Sequence, residues 1–195
     1  MRRFLLCCFM VAALAACEPV LRADVTHFYS LPPLPAGQSF AIAPDPGQAG
    51  NLEFDHAAAL MSNGLQAKGF RLANPQGPGA DIIAVLHYGN VGSHTEVYSE
   101  PSPGWGRPGG WGWHGYPPEI SSYTLYSQSV DLALFDGTAW RAGERRMLFQ
   151  GRAVADSGAQ DLNIVMSCLI KALLQDFPGI NGQTVRVDIP LDGNP

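Results

Sequence analysis

The chain has 195 residues, with 12 Lys+Arg against 17 Asp+Glu, 46% hydrophobic and 10% aromatic residues, which is too apolar and aromatic for a disordered solvating tail. A charged fraction of 15% and a net charge of −5 supply no basic field to hold a phosphate backbone or an anionic lipid surface, so nucleic acid is excluded as an electrostatic partner. The length suits one domain with a substantial core.

Met1-Arg2-Arg3 is a short positive segment followed by an apolar run of thirteen residues, Phe4 to Ala16. At about 1.5 Å per residue this run is too short to cross a roughly 30 Å hydrocarbon core as a helix, so residues 1–16 read as a signal peptide. Without them the chain keeps 10 basic and 17 acidic residues, a net charge of −7. The run closes on Leu14-Ala15-Ala16-Cys17, which resembles the lipobox of bacterial lipoproteins. That resemblance implies lipidation (palmitate or related acyl chains) of Cys17 as the new N-terminus. Ala13-Leu14-Ala15 also satisfies the A-x-A rule of an ordinary signal peptidase site. Several acyl chains anchor durably, each buried methylene contributing about 0.8 kcal/mol. Glu18 stands where inner-membrane retention signals usually carry Asp, so the analogy implies an outer-membrane protein facing the periplasm. With Cys7 and Cys8 in the signal peptide and Cys17 acylated, Cys168 is left alone; it reads as a packing residue and no internal disulfide is expected.

Residues 17–24 read as a tether and 25–190 as the domain. Val25–Leu31 and Ser39–Ala43 are short strands separated by the Pro-rich segment 32–37. From Leu52 to Lys68, Phe54, Ala57, Ala58, Met61 and Leu65 recur at three- and four-residue steps, and Gly69 follows: an amphipathic helix with a C-terminal glycine. Asp81–Tyr98 and Ile120–Phe135 are long runs rich in β-branched and aromatic residues, hence long strands. Asp136-Gly137 reads as a turn and Met147–Ala155 as the return strand. Gln160–Asp176 is a second helix, with Leu162, Met166, Leu169, Leu173 and Phe177 on one face; Thr184–Ile189 is a last strand. The expected order is β-β-α-β-β-β-α-β. The expected fold class is α+β, an antiparallel, mostly meander sheet with two amphipathic helices packed on one face.

Several segments resemble the bacterial envelope lipoproteins grouped as domain of unknown function 4136. They are His27-Phe28-Tyr29, Gly37 to Ile42, Leu65 to Phe70, Ala80-Asp81, Val130 to Asp136, and Phe149 to Ala153, where this chain has Phe149 in place of the Trp of many relatives. The resemblance covers nearly all of the mature chain and implies a fold and a compartment without an established activity.

No catalytic signature is present: no G-x-S-x-G, phosphate-binding glycine loop, H-E-x-x-H, C-x-x-C or calcium loop. His27, His56, His87, His94 and His114 are scattered, without the i, i+2 or i, i+4 spacing of metal ligands, so no metal and no cofactor are expected. Asp131 and Glu96 lie on strands expected to be neighbours, which leaves a carboxylate pair open. Arg141, Arg145 and Arg146, with Glu144 among them, read as a solvated loop. The distinctive segment is Pro101–Glu119, where eleven of nineteen residues are Gly or Pro and Trp105, Trp111, Trp113 and Tyr116 concentrate. A connection this long exceeds what a hairpin needs. Its aromatic residues suit glycan rings, proline-rich peptides or the lipid interface, so that an envelope protein or a glycan is the partner expected there, against the plainer alternative of a low-complexity connector folded onto the sheet edge. The expected function is a lipid-anchored, non-enzymatic binding or accessory module of the envelope. The alternatives are an envelope hydrolase or transferase using carboxylates, or an auxiliary subunit of a transport or lipid-export assembly.

Overall fold

The computed structural model describes residues 19–30, 37–74, 79–100 and 119–191. Among these residues seven strands form one sheet: β1 (Val20–Tyr29), β2 (Ser39–Pro44), β3 (Arg71–Leu72), β4 (Ile82–Glu100), β5 (Glu119–Asp136), β6 (Met147–Ser157) and β7 (Thr184–Pro190). Three α-helices accompany them, α1 (Leu52–Ala67), α2 (Gly137–Arg141) and α3 (Asn163–Gln175), with a 3-10 turn at Pro46–Gln48. The spatial order is β3-β2-β4-β5-β6-β1-β7.

The sheet is mixed, which corrects the expected antiparallel meander. β4, β5, β6, β1 and β7 pair antiparallel, but β2 runs parallel to both β4 and β3. The cause is the sixteen-residue helix α1 between β2 and the strands that follow it. A helix of that length carries the chain back to the end from which β2 started, so the next strand enters in the same direction. A third helix, the short α2, replaces the expected Asp136-Gly137 turn: the Asp136 carboxylate accepts a hydrogen bond from the Ala139 amide at 2.8 Å, capping it. Gly137 lies so close to β4 that a Cβ would sit 2.1 Å from the Ala80 carbonyl oxygen. β1 opens at Val20, inside the segment read as a tether.

The two long helices form where expected and share one face of the sheet. Asn51 caps α1 by accepting from the Glu53 amide at 3.0 Å, and Gly69, at φ 93°, closes it. Phe54, Ala57, Met61 and Leu65 are its buried stripe. Asp161 stands just ahead of α3, its Oδ1 accepting from the Asn163 amide at 2.9 Å. Alternate residues of the strands meet the helices: Leu21, Ala23 and Val25; Ile82, Ala84 and Leu86; Val130, Leu132 and Leu134. Removing each large side chain of this core from water contributes about 1.5–3 kcal/mol.

A chain of rings closes the core at the C-terminal end of β1. Phe40 meets Phe70 edge-on (6.5 Å between centroids), Phe70 meets Phe177 (5.8 Å), Phe177 meets Phe149 (4.8 Å) and Phe149 meets His27 (5.4 Å). His27 fits because two glycines flank it. A Cβ on Gly151 would sit 3.0 Å from its Cδ2, and one on Gly179, at φ +74°, 2.2 Å from its Nδ1.

The opposite sheet face bears no helix among the described residues and is polar over much of its area. Thr184, Thr26, Arg152, Asp131 and His87 stand side by side across five strands. Arg152 Nε lies 2.9 Å from Asp131, His87 Nδ1 3.5 Å from Asp45, and Arg186 grips both carboxylate oxygens of Asp24 at 2.9 and 3.1 Å.

Candidate functional site

β4 and β5 are far longer than their neighbours, and the excess makes an arm. β5 pairs with β6 only from Tyr126 onward, opposite Ser157. Glu119–Leu125 and the facing His94–Glu100 therefore continue as a two-stranded ribbon with no strand beside them among the described residues. Seven residues at about 3.4 Å each make it roughly 24 Å long. A β-bulge at its root, where the register shifts between Asn90 and Gly92, bends and twists the ribbon as it leaves the sheet.

The root is clamped by polar groups. Gln128 is fully buried; its Nε2 donates to the carbonyls of Ala159 (3.0 Å) and Gln160 (3.2 Å), while its Oε1 accepts from Ser157 Oγ (3.1 Å). Asn90 Nδ2 reaches the Gln160 carbonyl at 3.4 Å. These bonds tie the segment leading into α3 to the arm, and a buried amide satisfied on both ends fixes a geometry that an apolar side chain would leave loose.

Beyond the root the arm exposes apolar surface that a soluble ribbon has no need of. Val97 is 65% exposed, Ile120 69% and Tyr98 51%. Alternation puts Val97 and Ile120 on the face that continues the helix side, Tyr98 and Tyr123 on the other. The tyrosines stack at 5.2 Å between centroids, the Tyr98 hydroxyl donates to the Tyr123 hydroxyl at 2.9 Å, and the Tyr123 hydroxyl donates to the Glu96 carboxylate. That bond to a carboxylate raises the Tyr123 pKa, because ionising the phenol would set two negative charges together.

The residues expected from the sequence to carry function, Cys17, Trp105, Trp111, Trp113 and Tyr116, lie outside the described residues. The exposed arm residues were missed by sequence reasoning, although a signal was present: two predicted strands of 18 and 16 residues beside one of nine must overhang. Asp131 and Glu96 do sit on neighbouring strands but do not meet. Asp131 faces His87 and Glu96 faces Tyr123, eight residues along β5, or roughly 27 Å. The arginine cluster is exposed to solvent, as expected, and each of its arginines also has a partner. Arg141 Nη1 donates to the Ala80 carbonyl at 2.9 Å, the Arg145 guanidinium lies 3.8 Å over the Trp140 ring, and Arg146 lies 3.8 Å from Asp136.

A recess of about 410 Å³ opens beside His27, lined by Val25, Ala172, Ile180 and Val187, with Asp176 among its polar residues. His27 is 5% exposed and its Nε2 donates to the Leu173 carbonyl at 2.9 Å. Burial lowers its pKa against the opposing pull of that carbonyl and of Asp176, so the ring is neutral at pH 7 and serves as a packed strut between β1 and α3. Cys168 is buried in the core. Among the described residues, no three His, Cys, Asp or Glu side chains converge as metal ligands, and no helix is long and apolar enough to cross a membrane.

Comparison with known proteins places the fold and the family. A PDZ domain protein from Parabacteroides distasonis is similar over 92% of this chain, with a TM-score of 0.51 and 11% identity; the chain spans 41% of that protein's length. A PelC dodecamer from Paraburkholderia phytofirmans is similar over 78% of this chain and 94% of its own, at 17% identity and a TM-score of 0.41. No curated protein matches the sequence. The model of the domain of unknown function DUF4136 matches residues 25–179, from the first strand through both long helices, and the chain belongs to that family.

Proposed function

We propose that the protein is a lipid-anchored envelope lipoprotein whose domain serves as a non-enzymatic binding or accessory module, held by Cys17 and facing the periplasm from the outer membrane. The observation that carries this reading is Leu14-Ala15-Ala16-Cys17 at the close of a short apolar run, three residues before β1 opens at Val20. At about 3.3–3.6 Å per residue, an acyl group on Cys17 lies at most roughly 11 Å of chain from the sheet. The arm supports the binding part of the proposal. It exposes Val97, Tyr98 and Ile120 outside the core and joins the strands to the Trp-rich segment 101–118.

Feeding cells radiolabelled palmitate tests the anchor. Label is expected in the wild-type protein in the membrane fraction and is expected to be lost in Cys17→Ser. Equal labelling of the two, or an unlabelled wild-type protein in the soluble fraction, refutes it. In vivo crosslinking of the intact protein, compared with a variant lacking residues 101–118, tests the module. A partner that disappears with the deletion supports the reading, and an unchanged crosslink pattern removes the loop as the contact.

A further inference from the structure

We infer that the β4–β5 arm rests in the interface of the bilayer that holds Cys17, with Val97 and Ile120 turned toward its hydrocarbon and the Tyr98–Tyr123 pair at headgroup level. This inference rests on the lipid anchor proposed above. The first argument is topological. Ala23 and Gln128 both face Ala155, so Val20, three residues earlier, is level with Leu125 at the arm's root. The anchored end of β1 and the arm thus leave the sheet at the same end, two strands apart.

The second argument is length. Past the level of Val20 the arm continues for six residues, Thr124 to Glu119, or roughly 20 Å. Twist of about 20–25° per strand tilts it against β1 by roughly 45° over two strands and shortens the projection to about 14 Å. The Cys17–Val20 link reaches only about 11 Å. With that end of the sheet toward the membrane, the arm meets the bilayer before the tether is fully stretched.

The third argument is chemistry. The root of the sheet carries paired charges, Arg186 with Asp24 and Arg22 with Asp188. Past it, Glu96 is the one carboxylate among the described arm side chains, and it is engaged by Tyr123 and by His94 at 3.9 Å. Val97 and Ile120 share their face with the small uncharged Thr95, Ser99, Ser122 and Thr124, and the tyrosines lie on the other face; such a ribbon suits the boundary between acyl chains and headgroups, where no charge attraction is required.

The test uses the full acylated protein reconstituted in phosphatidylcholine vesicles. Spin labels are placed singly at Val97→Cys, Ile120→Cys and, as a control at the opposite end, Met147→Cys, in a Cys168→Ala background. Collision rates with oxygen and with a water-soluble nickel chelate report depth. The expected result is a several-fold higher oxygen-to-nickel ratio at 97 and 120 than at 147, in vesicles but not in a Cys17→Ser protein free of lipid. Equal ratios at the three positions in protein that floats with the vesicles overturn the inference and leave the anchor standing. Spin–spin broadening at 97 without oxygen contact assigns the surface to a second copy and also overturns it. Binding of the arm that needs anionic lipid overturns the aliphatic insertion argued here. A chain shown by mass to carry no acyl group overturns anchor and inference together.

Discussion

Lowering the pH from 7 to 5 is expected to destabilise the domain through His27. The ring is 5% exposed, boxed by Gly151, Gly179 and Phe149, and donates from Nε2 to the Leu173 carbonyl. Burial puts its pKa below the ordinary value near 6.5, with Asp176 as the neighbouring charge that limits the fall. Between those two values the unfolded chain binds a proton that the folded chain refuses, so stability drops as the pH drops. One proton is worth at most about 1.4 kcal/mol per pH unit, which makes the ceiling about 2 kcal/mol between pH 6.5 and 5. His27→Gln keeps an N–H donor in reach of Leu173 without titrating. It is expected to be less stable than the wild type at pH 8, where the glycine-lined slot fits a ring, and the gap should narrow as the pH falls. Urea unfolding of both proteins at intervals from pH 8 to 5 measures it, and carboxylates such as Asp24 and Asp81, held below their ordinary range by Arg186 and Ser39, cancel in the difference. Parallel pH profiles for the two proteins would refute a buried, neutral His27.

Two substitutions probe the packing behind the site. Gly137→Ala drives a methyl group to 2.1 Å from the Ala80 carbonyl oxygen, which Arg141 also holds, and backbone on both sides cannot yield. Despite a helix-propensity gain of about 1 kcal/mol, a net loss at the upper end of overpacking costs, about 3 kcal/mol, is expected in chemical denaturation, and an unchanged midpoint would contradict the close approach. Leu169→Ala empties a fully buried position on α3 and is expected to cost about 2–5 kcal/mol in the same assay, with the native circular dichroism spectrum retained.

The elements of the fold were legible because burial imposes a period. The stripe Phe54-Ala57-Met61-Leu65 and the alternation Val130-Leu132-Leu134 are each buried on the face their spacing indicates. Strand direction was less accessible, since it depends on connections and not on strand residues. Ser39–Pro44 looks the same whether its neighbour runs parallel or antiparallel, and only the intervening helix reveals which. α2 escaped notice because five residues carry no periodicity and Asp-Gly is the usual signal of a tight turn. The family motifs acquire physical content in the structure. His27, Phe40, Phe70, Phe149 and Gly151 are scattered in sequence, yet they build one ring-lined corner of the core.

The arm was readable in outline from strand lengths, and what residue patterns left out is where it points. Val97 and Ile120 look like core residues in a linear reading, since β-branched residues in a long strand ordinarily pack inward. They are exposed because β6 ends at Ser157 and β1 begins at Val20, so no strand or helix among the described residues extends over them. The same register that strips the arm of neighbours sets it beside the start of β1. With Cys17 acylated as proposed, the exposed Val97 and Ile120 and the anchor become parts of one geometry, because Val20 is level with Leu125 and the arm leaves the sheet at the end where β1 begins. A longer tether would separate the two functions. Inserting about ten Gly/Ser residues between Glu18 and Val20 is expected to leave acylation intact while returning labels at 97 and 120 to water, and labels that stay in contact with lipid would show that the arm, not the tether, holds the domain to the bilayer.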